Sequence, residues 1–260
     1  MATALPQRQA SIADQTKQDF KAYWDNAEKS RLDNPAAQRT LIASAHKYAV
    51  CFSYLSRAMT APPVELEPHQ RIFFQELTSD AVHLVHALTG GDARGARFYL
   101  RSVIENFWRH HYFRDHVVEY GWLHTRDKYH HEMKQLREHC SWLTCFQGEL
   151  QPLMTNLPRL YAELSAAVHS TSSRTLVLRQ TLDDIRLLDV QVSEITKDLL
   201  GTLKVCLALC IFSEREIYLG LGTKVQEFLM NSLSVAQKRL VQKAFLKAEA
   251  EAEAAAAKAA

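Results

Sequence analysis

Between residues 41 and 55 the apolar side chains fall at Leu41, Ile42, Ala45, Tyr48, Ala49, Phe52 and Leu55. That spacing places them on one face of a 3.6-residue period, the signature of an amphipathic α-helix. The period returns along most of the chain. It reappears at Ile72, Phe73, Leu77, Ala81, Leu84, Val85 and Leu88, and again at Ala96, Leu100, Val103, Ile104, Phe107 and His111. A fourth run carries Leu188, Val192, Ile195, Leu199, Leu203, Cys206, Leu207, Cys210 and Ile211. Glycine and proline, which many-stranded folds use at their turns, number only 8 and 7 in 260 residues. The chain is therefore expected to be all-α, a bundle of about eight helices with a protruding C-terminal helix.

The punctuation places the helices. A first helix is expected from about Ser11 to Ser30. Asn34-Pro35 starts the next, with Asn34 as N-cap and Pro35 at the first helical position. Thr60 to Pro63 breaks it. His69 to Leu88 follows and ends at Gly90-Gly91. Asp92 then caps a helix running to about His116. Glu119 to Cys140 continues as helix, Leu143 to Pro158 reads as a loop, and Pro158 to Val168 is a short helix. Ser170 to Ser173 is a polar break, and Thr181 to Asp183 resembles another helix start. Leu187 to Leu219 is helical up to Gly220 and Gly222. Residues 223–247 form a last amphipathic helix with an Ala/Glu/Lys tail behind it. This organisation divides the chain into a bundle, 1–222, and a C-terminal segment, 223–260.

The formal charge of +2 neither demands nor excludes an anionic partner. Five cysteines, an odd number without CxxC spacing, point to a reducing, cytoplasmic setting rather than a disulfide framework. Cys206 and Cys210 read as apolar fillers. The most apolar run, Leu199 to Phe212, contains Lys204 and falls short of the roughly 20 residues of a membrane span. No membrane association and no secretory leader are expected.

Three groups of residues carry chemistry. Arg101, Glu105 and Arg109 stand at successive i, i+4 steps, so Glu105 can pair with both arginines. His116 lies two turns beyond Arg109 and points the same way on an unbroken helix. An arginine and a histidine facing one cleft suit RNA cleavage: the imidazole moves a proton and the guanidinium stabilises the phosphate. The same residues also suit a salt-bridged helix face. Ser165 and His169 form a second i, i+4 pair after Tyr161. His169 at a helix C-terminus is either an acid/base group or a helix cap. The third group is a histidine-rich stretch, His110, His111, His116, His124, His130, His131 and His139. It lacks metal-ligand spacing: His131-Glu132 begins like His-Glu-x-x-His, but position 135 is Gln. Neither a metal nor another cofactor is expected. Arginines from Arg94 to Arg137 alternate with Phe98, Tyr99, Phe107, Trp108 and Tyr112. That pattern is either an RNA-binding surface or a core stripe with a solvated face.

The string Leu88-Thr-Gly-Gly-Asp-Ala-Arg-Gly-Ala96, leading into Arg101-x-x-x-Glu105, resembles the central helix pair of HEPN-type domains. Arg109-His110 followed by His116 matches their Arg-polar-x(4–6)-His form. Tyr161-x-x-x-Ser165-x-x-x-His169 looks like the second-helix signature of related helical families. The resemblance covers about residues 70–175. It implies a metal-independent endoribonuclease of a toxin or phage-defence system, with a site formed between two copies of the chain. In such a site Arg109 holds the phosphate, His116 or His169 is the acid/base, Arg101 and Glu105 orient, and Ser165 lies beside them. The alternative is a non-enzymatic helical interaction subunit, in which the same faces hold helices together or bind a partner protein.

Overall fold

The computed structural model describes residues 11–27, 35–62, 64–169 and 187–259. Among these residues all regular structure is helical. In chain order the helices are α1 (Ile12–Ala27), α2 (Pro35–Ala58), α3 (Pro68–Thr89), α4 (Ala93–Asp115), α5 (Val117–Thr125) and α6 (Met133–Trp142). Two 3₁₀ turns, Thr144–Phe146 and Gly148–Leu150, lead into α7 (Gln151–His169). Then come α8 (Asp189–Ser213), α9 (Arg215–Gly220), α10 (Thr223–Asn231) and α11 (Val235–Ala259). No helix among the described residues is long and apolar enough to cross a membrane.

Helix α4 is the axle. It packs against α3, α6, α7 and α8, and Asn106–Trp108 and His110–Phe113 are buried almost all the way round. A helix surrounded by neighbours has little solvent face left, which is why polar Asn106, His110 and His111 are also drawn inside. Helix α2 lies against α3 and α8. Its Tyr48 hydroxyl donates to the Ser232 carbonyl at 2.8 Å, pinning the α10–α11 junction. Leu229, Leu233, Val241 and Ala244 belong to the same buried cluster as the rest of the core. Phe245 meets Phe212 and Tyr218 edge-on or tilted, at 5.4 and 5.7 Å. From Glu249 to Lys258 every side chain of α11 is exposed.

The start of α4 is built as its sequence demands. Gly91 adopts φ 76°, a left-handed conformation that favours glycine. This lets the Asp92 N–H return to the Ala87 carbonyl at 2.9 Å and close α3. The Asp92 carboxylate then accepts from the Gly95 N–H at 2.9 Å. Position 95 has no room for a Cβ, which would stand 2.3 Å from the Asp92 carboxylate. Asp92→Ala is expected to lower stability by about 1 kcal/mol, read as a shift in the urea midpoint with an unchanged slope.

Among the described residues eleven helices stand where about eight are expected, because several continuous patterns are broken. Helix α4 stops at Asp115, and His116 (φ −116°, ψ 64°) starts α5 in a new direction. No Gly or Pro marks this break; the His116 ring caps it by donating from Nδ1 to the Tyr112 carbonyl at 2.8 Å. The stretch from Glu119 to Cys140 divides into α5 and α6, and the last amphipathic stretch into α10 and α11. Helix α7 begins at Gln151, so part of the expected loop is helical. Pro158, expected as a helix start, sits inside α7. It gives up one backbone donor there, and the buried row Leu153, Met154, Leu157, Leu160 and Leu164 holds the helix together across it. The Asn34 cap, the polar break at 170–173 and the start at 181–183 lie outside the described residues.

Candidate functional site

Two helices of opposite sequence character meet at the site. Helix α4 supplies charged residues at i, i+4 steps, and α7 supplies Tyr161, Ser165 and His169 at the same spacing. Glu105 is the hub. Its Oε1 lies 2.7 Å from the Arg101 guanidinium and accepts from the Tyr161 hydroxyl at 3.0 Å, while its Oε2 is 3.6 Å from Arg109. Arg101 also reaches across to α7, where its NH1 donates to His169 Nε2 at 2.8 Å. Its guanidinium lies over the Tyr161 ring, 5.3 Å from the centroid. Tyr161 in turn rests on buried Trp108, 5.2 Å between rings.

The electrostatics follow from this geometry. Burial disfavours the Arg101 charge, but Glu105 and Tyr161 outweigh it and raise its pKa. A guanidinium has only donors, so His169 Nε2 is the acceptor and its proton sits on Nδ1. Arg109 is tied back to α3: it donates to Asn106 Oδ1 at 3.1 Å, and Asn106 donates to Asp80 at 2.7 Å. Burial raises the Asp80 pKa against its hydrogen bonds from Ser102 and Asn106. Two buried atoms in the site have no hydrogen-bond partner among the described residues, Arg101 Nε and Ser165 Oγ. Unused buried polar atoms are uncommon in folded proteins, and each calls for an explanation, such as a ligand or water that completes it.

The structure thus brings together Arg101, Glu105, Arg109 and His169, with Ser165 one turn from His169. His116 is elsewhere. It stacks on Tyr112 at 4.0 Å between rings and meets His139 edge-on. Its neighbourhood includes Glu119, which accepts from Tyr112 and lies 2.7 Å from His131. The break after Asp115 removes the shared direction expected of Arg109 and His116.

The α4 arginines of the basic stretch are engaged by neighbouring groups, while Arg126, Lys128 and Lys134 are exposed. Arg94 donates to the Val168 carbonyl at 2.7 and 3.0 Å, closing the C-terminus of α7. Arg97 pairs with Glu194 and Asp198 of α8. Phe107, Trp108 and Tyr112 are buried, whereas Phe98 is 48% exposed. Cys206 and Cys210 are fully buried, as expected, and all five cysteines are free thiols.

A second polar cluster joins two members of the histidine-rich stretch to a glutamate that no sequence pattern singled out. His110 and His111 of α4 face Glu214 at the α8–α9 junction, all three buried. His110 Nε2 donates to Glu214 Oε1 at 3.0 Å, and Arg114 NH1 lies 2.8 and 2.9 Å from the two carboxylate oxygens. Burial works to raise the Glu214 pKa, but the hydrogen bond from His110 and the His110 and Arg114 charges overcome it and hold it at about 2. The signals in the sequence were the histidine-rich stretch that includes His110 and His111 and the place of His111 on the apolar stripe of α4; nothing pointed to Glu214, 104 residues from His110.

The fold and the site together define an all-α protein with a cross-helix Arg–Glu–Tyr–His cluster beside its central helix. No family model matches the chain, and no curated protein or solved structure matches it.

Proposed function

We propose that the α4–α7 cluster is a metal-independent RNA-cleaving centre of the toxin or phage-defence type. The carrying observation is the 2.8 Å contact between Arg101 and His169, which stand on different helices. In this reading His169 Nε2, the lone-pair nitrogen, takes the proton from a ribose 2′-hydroxyl. The 2′-oxygen attacks the adjacent phosphorus and forms a 2′,3′-cyclic phosphate. The 5′-oxygen leaves and is protonated by solvent, to which His169 is open. Arg101 moves from the imidazole to the phosphate and stabilises its developing charge. Glu105 and Tyr161 position Arg101, Arg109 adds positive charge at the rim, and Ser165 Oγ offers an unused hydrogen bond. A second copy of the chain is the partner that the resemblance to HEPN-type domains implies.

A second reading is favoured by a different observation. Arg94, Arg97, Arg101, Arg109 and Arg114 are all engaged within the chain, as suits a non-enzymatic interaction subunit. One experiment separates the two. Wild type, Arg101→Ala, His169→Ala, Arg109→Ala and His116→Ala are incubated with RNA in excess chelator. Cleavage is expected from wild type. It should fall about 10²–10⁴-fold without His169, comparably without Arg101, and little without His116. Intact RNA with the wild-type protein discards the enzymatic reading in favour of the interaction subunit.

A further inference from the structure

We infer that His110, His111 and Glu214 form a divalent transition-metal site of the zinc class, separate from the α4–α7 cluster. One ligand-type atom from each residue lies within 4.8 Å of the other two. The three residues are 1%, 3% and 2% exposed, so water does not satisfy their polar atoms. His110 Nδ1 and His111 Nε2 have no hydrogen-bond partner among the described residues. The unused His111 Nε2, beside a buried carboxylate that already receives His110 Nε2 at 3.0 Å, is an unusual feature for a packing cluster. Two imidazoles and one carboxylate are also a donor set that zinc accepts, with a fourth position left for solvent.

The surroundings fit the assignment. His111 packs against Phe107 and Phe146, at 4.7 and 4.9 Å between rings. In this apolar setting His111 Nε2 makes no hydrogen bond that a metal would have to displace. Zinc bonds of about 2.0–2.1 Å require ligand atoms about 3.4 Å apart, so the wider separations in the set, up to 4.8 Å, close around the ion while the 3.0 Å His110–Glu214 contact opens slightly. His110 binds as the tautomer protonated on Nδ1, its Nε2 lone pair going to the metal in place of the Nε2–H bond to Glu214. Arg114 remains on the carboxylate as its outer partner. A cleft of about 150 Å³ lies nearby, with Arg114, Ser213 and Glu214 among its lining residues. Arg114, which lines that cleft, is 34% exposed.

Adjacent histidines and a glutamate a hundred residues on have no recognisable ligand spacing, so only packing assembles the set. The test uses the full chain without a histidine tag, stripped with chelator and titrated with Zn²⁺ by calorimetry and with Co²⁺ by visible absorption. One ion per chain is expected, with a rise in Tm on Zn²⁺ addition. His111→Phe, which suits the pocket between Phe107 and Phe146, is expected to weaken binding about 100-fold or more. A His131→Ala/His139→Ala control should bind as wild type. In the wild-type protein, Co²⁺ should broaden NMR signals most strongly around His110, His111 and Glu214, a readout that does not depend on any variant folding. Absence of stoichiometric Co²⁺ uptake, wild-type affinity in His111→Phe, or broadening centred on His131 and His139 would overturn the assignment.

Discussion

Glu214→Ala is expected to lower the stability of the metal-free protein by about 3–5 kcal/mol, the cost of removing one partner from a buried ionic group. The carboxylate is almost wholly buried and receives both His110 and Arg114. Without it, His110 loses the partner of Nε2 and still has none at Nδ1. Urea unfolding by circular dichroism measures the loss, and Glu214→Gln should recover part of it by keeping an acceptor for Arg114. The same cluster sets the acid response. His111 stays uncharged in the folded state, while the unfolded chain takes up a proton near the ordinary value of 6.5. Stability therefore falls as pH drops below about 6.5, by at most about 1.4 kcal/mol per pH unit for this one proton. Glu214 acts lower. The folded state keeps it ionised down to about 2, while the unfolded chain protonates it from 4.5 downward. Its contribution, about 3 kcal/mol, is present above pH 4.5 and lost between 4.5 and 2. His111→Phe should abolish the upper window and leave the lower one. An unchanged stability profile between pH 6.5 and 5 in that variant would contradict the assignment of the upper window to His111.

Trp108→Ala is expected to cost about 3–5 kcal/mol as well, by cavity formation, and to disturb the α4–α7 cluster without touching any of its charged groups. Trp108 is 1% exposed and carries the Tyr161 ring on its face. Its backbone carbonyl also accepts from the Cys140 thiol of α6 at 3.6 Å. Deleting the indole leaves Tyr161 without its backing, and Tyr161 is what holds Glu105 on the α7 side. Trp108→Phe keeps most of the volume and should cost clearly less. A Trp108→Ala protein as stable as wild type would show that α7 is held to α4 by other contacts.

The local parts of this molecule were legible in its sequence because their causes are local. The apolar period of α2, α3 and α4 needs only neighbours three and four residues away. Gly91 and Asp92 mark the α3–α4 turn because one supplies a left-handed backbone and the other a cap. The Arg101–Glu105–Arg109 ladder is one helix pairing with itself. The break at His116 was not legible, since a ring-to-carbonyl bond substitutes for the Gly or Pro that normally signals one. Pro158 misled for the converse reason: the buried leucines of α7 override a local stop signal.

The sequence by itself determined that the chain is helical, where most helices begin, and which side chains share a helix face. Those properties come from steric and hydrogen-bonding preferences within a few residues. Only the tertiary structure decided that Arg101 meets His169 rather than His116, and that Glu214 closes on His110 and His111. These contacts join positions 68 and 104 residues apart. They depend on which apolar faces pack together, and no short-range pattern records that choice.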